Sequence, residues 1–221
     1  MKSFTTQMAW RNVWRNPRRS VLTMASVAFA ALILIFMLSW QFGSYDTMIN
    51  TAVSIHTGHL QVQAEGYQDK RRIGQVVERP DAVTEVAART GGVDAYTTRA
   101  GAFSLVSSED RTYAALVVGI DPEREPAVST LESLVRKGSF LVPDDGYQAL
   151  IGRLLARNLK VDVGDEIVLL GQGRDGSIAA SAVRVKGVFE SGQDEFDRST
   201  VQIPMAAFQE VYAMRGGVHE V

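Results

Sequence analysis

The chain has 221 residues, with 23 Lys and Arg residues against 25 Asp and Glu residues, and it contains no cysteine. Without cysteine it has neither a disulfide bond nor a thiolate metal site. Five basic and no acidic residues precede residue 21, so the remainder has 18 basic and 25 acidic side chains. This acidic balance argues against a nucleic-acid partner, because phosphate binding needs a basic surface.

A short stretch before residue 21 alternates aromatic and basic side chains. Tryptophan prefers the level of the lipid headgroups and arginine the water side, which predicts a helix lying on the inner membrane surface. The basic residues also suit anionic lipid headgroups. Asn16 and Pro17 are predicted to end this helix. The anchoring side chains are Trp10, Trp14, Arg11 and Arg15.

Residues 21–40, VLTMASVAFAALILIFMLSW, contain no charge. As a helix they span about 30 Å, the thickness of the hydrocarbon core of a bilayer. Because no Lys or Arg follows before Lys70, the positive-inside rule predicts a transmembrane helix with a cytoplasmic N-terminus and an outer domain. Within this run, the small residues Ser26 and Ala30 would let a second helix pack closely.

Two other targeting signals have similar features. A cleavable signal peptide has a shorter apolar run followed by small residues, whereas this run exits into Trp40 and Phe42. Arg18 and Arg19 match the pair of a twin-arginine signal, although such pairs also serve as topology charges. The length of the apolar run favours an uncleaved anchor.

The outer part mixes helices and strands. Helical spacing predicts helices over residues 45–54, ended by Gly58, and over 81–89, 129–136, 153–159 and 205–212. In the second of these, Val83, Val86 and Ala87 are predicted to face inward. Strands are predicted over residues 59–63, 96–99, 102–106, 113–119, 149–151, 166–170, 183–190 and 201–203. Without a regular strand–helix alternation, the pattern favours an α+β fold.

Three patterns of chemical interest lack the context that their chemistry needs. Residues 171–176, GQGRDG, fit a dinucleotide-binding fingerprint, but an alternating strand follows instead of a helix, which predicts a hairpin turn. His56 and His59 have no third metal ligand nearby. The acidic residues of 194–197 lack the spacing of a calcium loop and are predicted to form a solvated loop. We therefore expect no catalytic residue, no cofactor, no metal and no enzyme activity.

Residues 8–20, MAWRNVWRNPRRS, resemble the N-terminus of ABC transporter permeases of the MacB/LolC/LolE/FtsX type. The likeness covers essentially the whole chain in the family's order. Its further segments are residues 54–67, 117–122, 149–166, 185–190 and 201–204.

The resemblance implies one transmembrane helix followed by an extracytoplasmic domain, in which a β-rich Sabre-like part is inserted into a porter-like part. Residues 1–20 would be the interfacial helix, 21–42 the transmembrane helix, 43–145 the porter-like part with its stalk, 146–203 the Sabre-like part and 204–221 a return to the porter-like part. Three further transmembrane helices are expected beyond Val221, so the chain is expected to be a fragment or a truncated gene product.

The resemblance also implies a function. The chain would belong to a permease subunit of the bacterial inner membrane that transmits ATP-driven motion to a periplasmic domain, for export of lipoproteins or other substrates. Its partners would be a separate cytoplasmic ABC ATPase subunit, a second permease subunit, membrane lipid and a periplasmic carrier or adaptor protein. An extracytoplasmic enzyme is a third reading. The main alternative is a single-pass membrane-anchored binding or sensor protein.

In lipoprotein-releasing members of this family, a long hook that contains proline engages the carrier protein. The corresponding residues 171–182 are short, rich in glycine and without proline. This difference places carrier binding through a hook in doubt, although the hairpin tip remains a candidate partner contact. That tip consists of Gly173, Arg174 and Asp175.

Overall fold

The computed structural model describes residues 2–221, with the side chains of 2, 3, 5 and 50–52 left aside. Met1, which the predicted interfacial segment includes, lies outside the described residues. The chain divides into two units, the first ending at Thr51 and the second comprising Ala52–Val221. Finer division into porter-like and Sabre-like parts stays a prediction.

Two helices precede the second unit. Helix α1 covers Lys2–Val13, and helix α2 covers Pro17–Ala52. Pro17 is tolerated in the first turn of α2, because the N–H that proline lacks has no partner in a first turn. The predicted break between the two helices is therefore confirmed.

Helix α2 is the only described helix that is long and apolar enough to cross a membrane. A π-helical turn, Val53–Thr57, follows it, and Gly58 then takes a positive φ of 70°. Glycine adopts that conformation without steric cost, which allows the chain to leave the helix. The predicted continuation of the helix beyond residue 45 and its end at Gly58 are confirmed.

Seven strands form one mixed sheet in the second unit, in the order β3-β6-β4-β7-β2-β1-β5. The first part of β6 also pairs with β5. This extra pairing closes six strands into a barrel and leaves β3 as an added strand beside β6. The strands are β1 (Arg99–Ser107), β2 (Thr112–Ile120), β3 (Val135–Gly138), β4 (Gln148–Gly152), β5 (Glu166–Gln172), β6 (Ile178–Phe189) and β7 (Thr200–Pro204).

Short helices connect and cover these strands. They are α3 (Tyr67–Lys70), α4 (Pro80–Arg89), α5 (Glu125–Val128), α6 (Arg153–Leu159), α7 (Asp194–Ser199) and α8 (Met205–Val211), with 3₁₀ turns at Leu131–Leu134 and Pro143–Asp145. The predicted helices at 81–89, 153–159 and 205–212 are thereby confirmed. Because helices and strands mix without a repeating βαβ order, the α+β class is confirmed as well.

Two clusters of apolar side chains lie on the two sides of the barrel wall. The first joins inward residues of all six barrel strands to Leu155 of α6 and Phe208 of α8. The second joins outward residues of β2, β4 and β6 to Leu131 and Leu141. Because alternate side chains of a strand point to opposite faces, β2, β4 and β6 contribute apolar side chains to both clusters. Strand β7 is buried along its whole length, with Val201 and Ile203 in the first cluster and the polar Thr200 and Gln202 alternating with them.

Four local predictions are wrong. In the described structure residues 59–63 form no strand, and Gln63 makes an isolated antiparallel bridge to Glu220. Strand β1 begins at Arg99, so residues 96–98 lie outside it. The helix predicted at 129–136 is a 3₁₀ turn followed by β3, since Val135 pairs with Phe189 of β6. In α4, Val86 is 66% exposed, because only a narrow face of that helix contacts the domain.

The predicted acidic loop is also wrong, because its residues begin helix α7. Asp197 is buried, and its Oδ1 accepts hydrogen bonds from the backbone N–H of Ser191 at 2.9 Å and from the Ser191 hydroxyl at 2.7 Å. These two donors satisfy the Asp197 carboxylate, and Asp197 can therefore be buried although its neighbours in the sequence are acidic and exposed.

The close contact between β2 and α8 gives the first prediction. A Cβ atom at Gly119 would lie 2.6 Å from Phe208 Cβ, inside van der Waals contact. We expect Gly119→Ala to destabilise the domain by about 1–3 kcal/mol, because overpacking forces the helix or the strand to shift. A Cβ at Gly91 meets no atom within 4 Å, so Gly91→Ala is the matched control. Equal urea unfolding midpoints for the two variants would contradict this packing.

Candidate functional site

A buried ion pair lies at the start of strand β1. The side chains of Arg99 and Glu125 are 5% and 1% exposed. Arg99 Nη2 donates to Glu125 Oε1 at 2.6 Å, and Arg99 Nε donates to Oε2 at 3.0 Å. This two-pronged geometry matches the guanidinium fork to the carboxylate and is the strong form of such a pair. The pair therefore fixes helix α5 to the first residue of β1.

The same arginine reaches the end of the long helix. Arg99 Nη1 donates to the backbone carbonyl of His56, within the π turn that follows α2. Beside it, the Thr130 backbone N–H donates to the Ser54 carbonyl at 2.8 Å. Carbonyls in the last turn of a helix have no N–H partner within that helix. Here two of them are satisfied by groups of the barrel domain.

The last residues of the chain meet the same point. The N–H of Arg99 donates to the Glu220 carbonyl and the N–H of Glu220 donates to the Arg99 carbonyl, both at 3.0 Å. Val62 and Val221 exchange a similar pair of hydrogen bonds, at 2.9 and 3.1 Å. Residues that follow α2 and residues at 220–221 are thus held side by side next to Arg99. We call this cluster the junction; it comprises the His56 carbonyl, Arg99, Glu125, Thr130 and Glu220.

Glu220 has a half-buried carboxyl in the junction. Gln63 Nε2 donates to its Oε1 at 3.1 Å, and Gln61 Nε2 lies 3.4 Å from its Oε2. Burial raises the pKa of this carboxyl, while the nearby Arg99 guanidinium acts in the opposite direction. Because Arg99 is turned toward Glu125, Glu220 receives its hydrogen bonds from two neutral amides.

His219, which precedes Glu220 in the chain, is held in place by two hydrogen bonds and a ring contact. Its Nδ1 accepts a hydrogen bond from the Gly101 N–H at 2.9 Å, so its Nε2 donates to the Ile73 carbonyl at 3.0 Å. The Tyr67 ring stacks on it at 4.6 Å between ring centroids. This arrangement needs the neutral imidazole, and burial lowers the pKa of His219 accordingly.

The hairpin tip lies between β5 and β6, so the interpretation of residues 171–176 as a hairpin turn is confirmed. The Arg174 N–H donates to the Tyr212 carbonyl at 2.9 Å, and Asp175 Oδ1 accepts from the Ser177 N–H at 2.9 Å. The side chains of Arg174 and Asp175 are exposed, whereas Gly173 is buried. The role of this tip as a partner contact stays a prediction.

An exposed apolar face extends from the hairpin tip across the barrel wall. Leu105 and Leu170 are cross-strand neighbours, and Ile178, at the beginning of β6, is 81% exposed. Contiguous apolar surface of this kind marks interaction sites in soluble domains. The sequence signal for it was the lack of polar alternation in residues 166–170. Large apolar residues of this face are Phe103, Leu105, Val168, Leu170 and Ile178.

The predicted membrane residues lie on exposed helix surfaces. Trp10 and Trp14 are in edge contact, with ring centroids 6.1 Å apart, and Arg11 and Arg15 are exposed beside them. In α2 the Ser26 hydroxyl donates to the Leu22 carbonyl of its own helix at 2.9 Å.

Ala30, four residues further along α2, is exposed. Interfacial anchoring by the aromatic and basic residues of α1, and helix packing through Ser26 and Ala30, remain predictions. Among the described residues, no group of three His, Asp or Glu side chains is arranged to hold a metal ion.

The neutral His219 gives a prediction of pH dependence. Its folded pKa lies below the ordinary value of 6.5, so the unfolded chain binds the proton first as the pH falls. The stability that His219 contributes is present above about pH 6.5 and is lost progressively below it. Glu220 acts with the opposite sign: its raised pKa favours the folded state at low pH and this contribution is lost as the pH rises.

We expect His219→Gln to reduce the loss of unfolding free energy between about pH 7 and pH 5, because the variant removes the group that takes up the proton. The matched control is His59→Gln, since His59 is exposed. Urea unfolding at several pH values measures this slope. A slope unchanged in His219→Gln, or reduced equally in both variants, would contradict the neutral assignment.

Known proteins resemble this chain over most of its length. The model for the MacB-like periplasmic core domain matches residues 20–220. The lipoprotein-releasing system transmembrane proteins LolC of Xylella fastidiosa strains 9a5c and Temecula1 are 34% and 33% identical to it over 129 residues. That stretch is 53% of this chain and 31% of each relative, so the chain matches about a third of their length.

Two solved structures share the fold. The extracellular domain of the ABC-type transporter YknZ from Gram-positive bacteria has a TM-score of 0.51 and 14% identity, over 72% of this chain and 79% of that one. The periplasmic region of MacB from Actinobacillus actinomycetemcomitans has a TM-score of 0.50 and 12% identity, over 72% of this chain and 70% of that one. Because the family model matches nearly all of the sequence, the chain belongs to the MacB-like periplasmic core domain family.

Proposed function

We propose that this chain is the N-terminal portion of an ABC transporter permease subunit, which transmits ATP-driven motion from the membrane to a periplasmic domain. The observation that carries the proposal is the junction at Arg99. There, one buried guanidinium contacts both the carbonyl of His56 and the carboxylate of Glu125. Movement of the helix end would therefore act on β1 and α5 directly.

The physical character of the junction supports this role. A buried ion pair is costly to separate, because each charge left alone would be desolvated without compensation. The contacts at Arg99 are therefore expected to persist under load, whereas exposed ion pairs exchange readily with water. The adjoining backbone hydrogen bonds of Val62 with Val221 bring these two residues to this same point.

The substrate and the partners are part of the proposal. The LolC relatives are named for lipoprotein release, which supports a lipoprotein as the exported substrate. ATP hydrolysis is assigned to a separate cytoplasmic ABC ATPase subunit, and a second permease subunit completes the membrane part. The proposed location is the bacterial inner membrane, with a cytoplasmic N-terminus and a periplasmic domain, in keeping with the charge asymmetry around residues 21–40.

The hairpin tip is proposed as a contact for a periplasmic carrier or adaptor protein. Its exposed Arg174 and Asp175 offer charges of both signs, and the apolar face that begins at Ile178 adjoins them. An apolar centre with a polar edge is the usual composition of a protein interface. Residues 171–182 lack the proline-containing hook of lipoprotein-releasing relatives, so such contact would use the barrel wall as well as the tip.

The test uses the complete permease together with its ATPase. A seven-residue Gly-Ser insertion after Tyr45 should uncouple ATP hydrolysis from substrate release, because a random coil transmits little force until it is extended. We expect substrate released per ATP to fall by about tenfold or more, with hydrolysis retained. Both quantities are measured in proteoliposomes.

The matched control is a seven-residue helical insertion at the same position. Two helical turns change the rotational phase of the stalk by only about 20°, so coupling should largely survive. Normal release with the flexible insertion would contradict transmission through this helix. That result would favour the alternative of an anchored binding or sensor protein, in which the helix is only a tether.

A further inference from the structure

We propose that the π turn at Val53–Thr57 is a two-state switch, which converts to an α-helical turn when the Ser54 carbonyl exchanges one hydrogen-bond donor for another. The turn lies within the second unit and directly follows α2. The two donors are the backbone N–H groups of Thr130 and Gly58. The proposal concerns the chain alone and does not rest on the transport role.

The hydrogen bond of Gly58 shows how the turn departs from an α-helix. Its N–H donates to the Val53 carbonyl at 2.9 Å, five positions back. An α-helix that ends at a glycine with positive φ commonly closes with a bond from that glycine N–H to the carbonyl four positions earlier. Gly58 has a φ of 70°, and the carbonyl four positions earlier is that of Ser54. The hydrogen bond that would end an α-helix is therefore displaced by one residue.

Two contacts within the second unit hold the turn in its π form. The Thr130 N–H donates to the Ser54 carbonyl at 2.8 Å, so this carbonyl has a partner without Gly58. Ile55, in the middle of the turn, is 4% exposed. Because π-helical turns are rare and occur mostly as single turns within α-helices, we attribute this one to these two contacts rather than to a preference of its own residues.

The α form would give up few contacts. Thr130 is exposed, so its N–H can donate to water when the Ser54 carbonyl takes its other donor. Arg99 keeps its bonds to the Glu125 carboxylate and the His56 carbonyl, because these groups take no part in the exchange. Since a hydrogen bond within a protein is worth only slightly more than one with water, the exchange itself is nearly balanced.

Conversion of the turn shifts the preceding helix by one residue. In an α-helix one residue corresponds to a rotation of about 100° and a rise of about 1.5 Å. Because Arg99 holds the His56 carbonyl, each residue before the turn moves to the place that the preceding residue had, and Ile55 leaves its buried position. Exchange of one hydrogen bond is thus converted into a rotation of α2 about its own axis.

The experiment measures the distance between two nitroxide labels by double electron–electron resonance, on the full chain in lipid nanodiscs. The chain contains no cysteine, so only introduced cysteines are labelled. One label is placed on the barrel at Arg184→Cys and the other before the turn at Met48→Cys, and both residues are exposed. A second pair, Arg184→Cys with Thr47→Cys, gives the distance that a shift by one residue should produce.

Thr130→Pro removes the N–H that holds the π form. The backbone suits proline, because Thr130 has a φ of −86° and Ser129 before it is extended. Its matched control is Thr130→Val, which also lacks the hydroxyl that donates to Ser54 at 3.3 Å but retains the N–H. We expect the population of Met48 labels at the distance given by Thr47 labels to be about fivefold larger in Thr130→Pro than in Thr130→Val.

Ile55→Ala tests the second contact while every backbone donor stays in place. This variant should raise the same shifted population, whereas Ile49→Ala, at a residue 54% exposed, should not. The proposal is overturned if the shifted population is equal in Thr130→Pro and Thr130→Val, or if Ile55→Ala leaves it unchanged. A broad distribution in place of the shifted distance would also overturn it, because the turn would then be lost instead of converted.

Discussion

The burial of one arginine is the constraint on which the second unit of this chain depends. Arg99 is 4% exposed, so its guanidinium must find compensation inside the protein. It does so through the Glu125 carboxylate and the His56 carbonyl, which belong to the parts of the chain that follow β2 and α2 respectively. Because both partners are needed to satisfy the fork, the π turn Val53–Thr57, strand β1 and helix α5 have one mutual arrangement of low energy. The backbone hydrogen bonds of Arg99 with Glu220 add the segment around Glu220 to that arrangement.

The packing of the barrel determines how it would respond to a displacement at the junction. Its wall has an apolar cluster on each side over β2, β4 and β6, so these strands cannot move without disturbing two cores. Strand β1 joins this wall through nine paired positions with β2. A displacement applied at Arg99 is therefore expected to move the barrel as a body rather than to unfold its edge. Membership of the MacB-like family, whose matched relatives are transport components, agrees with a chain that is not itself catalytic.

Local sequence patterns predicted much of the fold because they report local energetics. Helix α6 was predicted over the observed residues, since its apolar residues recur at helical spacing after Gly152, and the β5–β6 hairpin followed from its glycines. The family resemblance is confirmed by the family match, which covers residues 20–220.

The structural features that the sequence did not predict depend on contacts between residues that are far apart along the chain. Arg99 meets Glu125 26 positions away and His56 43 positions away, and closure of the barrel depends on the pairing of β1 with β5. Asp197 looked solvated because nothing in the sequence marks Ser191 as the donor that allows its burial. The exposed apolar face was missed for a similar reason, because the apolar run at residues 167–170 does not reveal which side of the strand another layer covers.

Hydrogen exchange in Arg99→Met tests most directly whether this side chain holds the junction together. In the unaltered chain the amides of Thr130, Val62 and Glu220 each donate to the backbone of another junction segment. All three amides are expected to lose protection by about tenfold or more in Arg99→Met, while the amide of Val201 in the barrel keeps its protection. Arg184→Met, at an exposed arginine of β6, is the matched control and should change none of them. Unchanged protection at Thr130 and Glu220 in Arg99→Met would show that the helix end and the barrel are held together by other contacts, and would contradict the central role of the buried arginine.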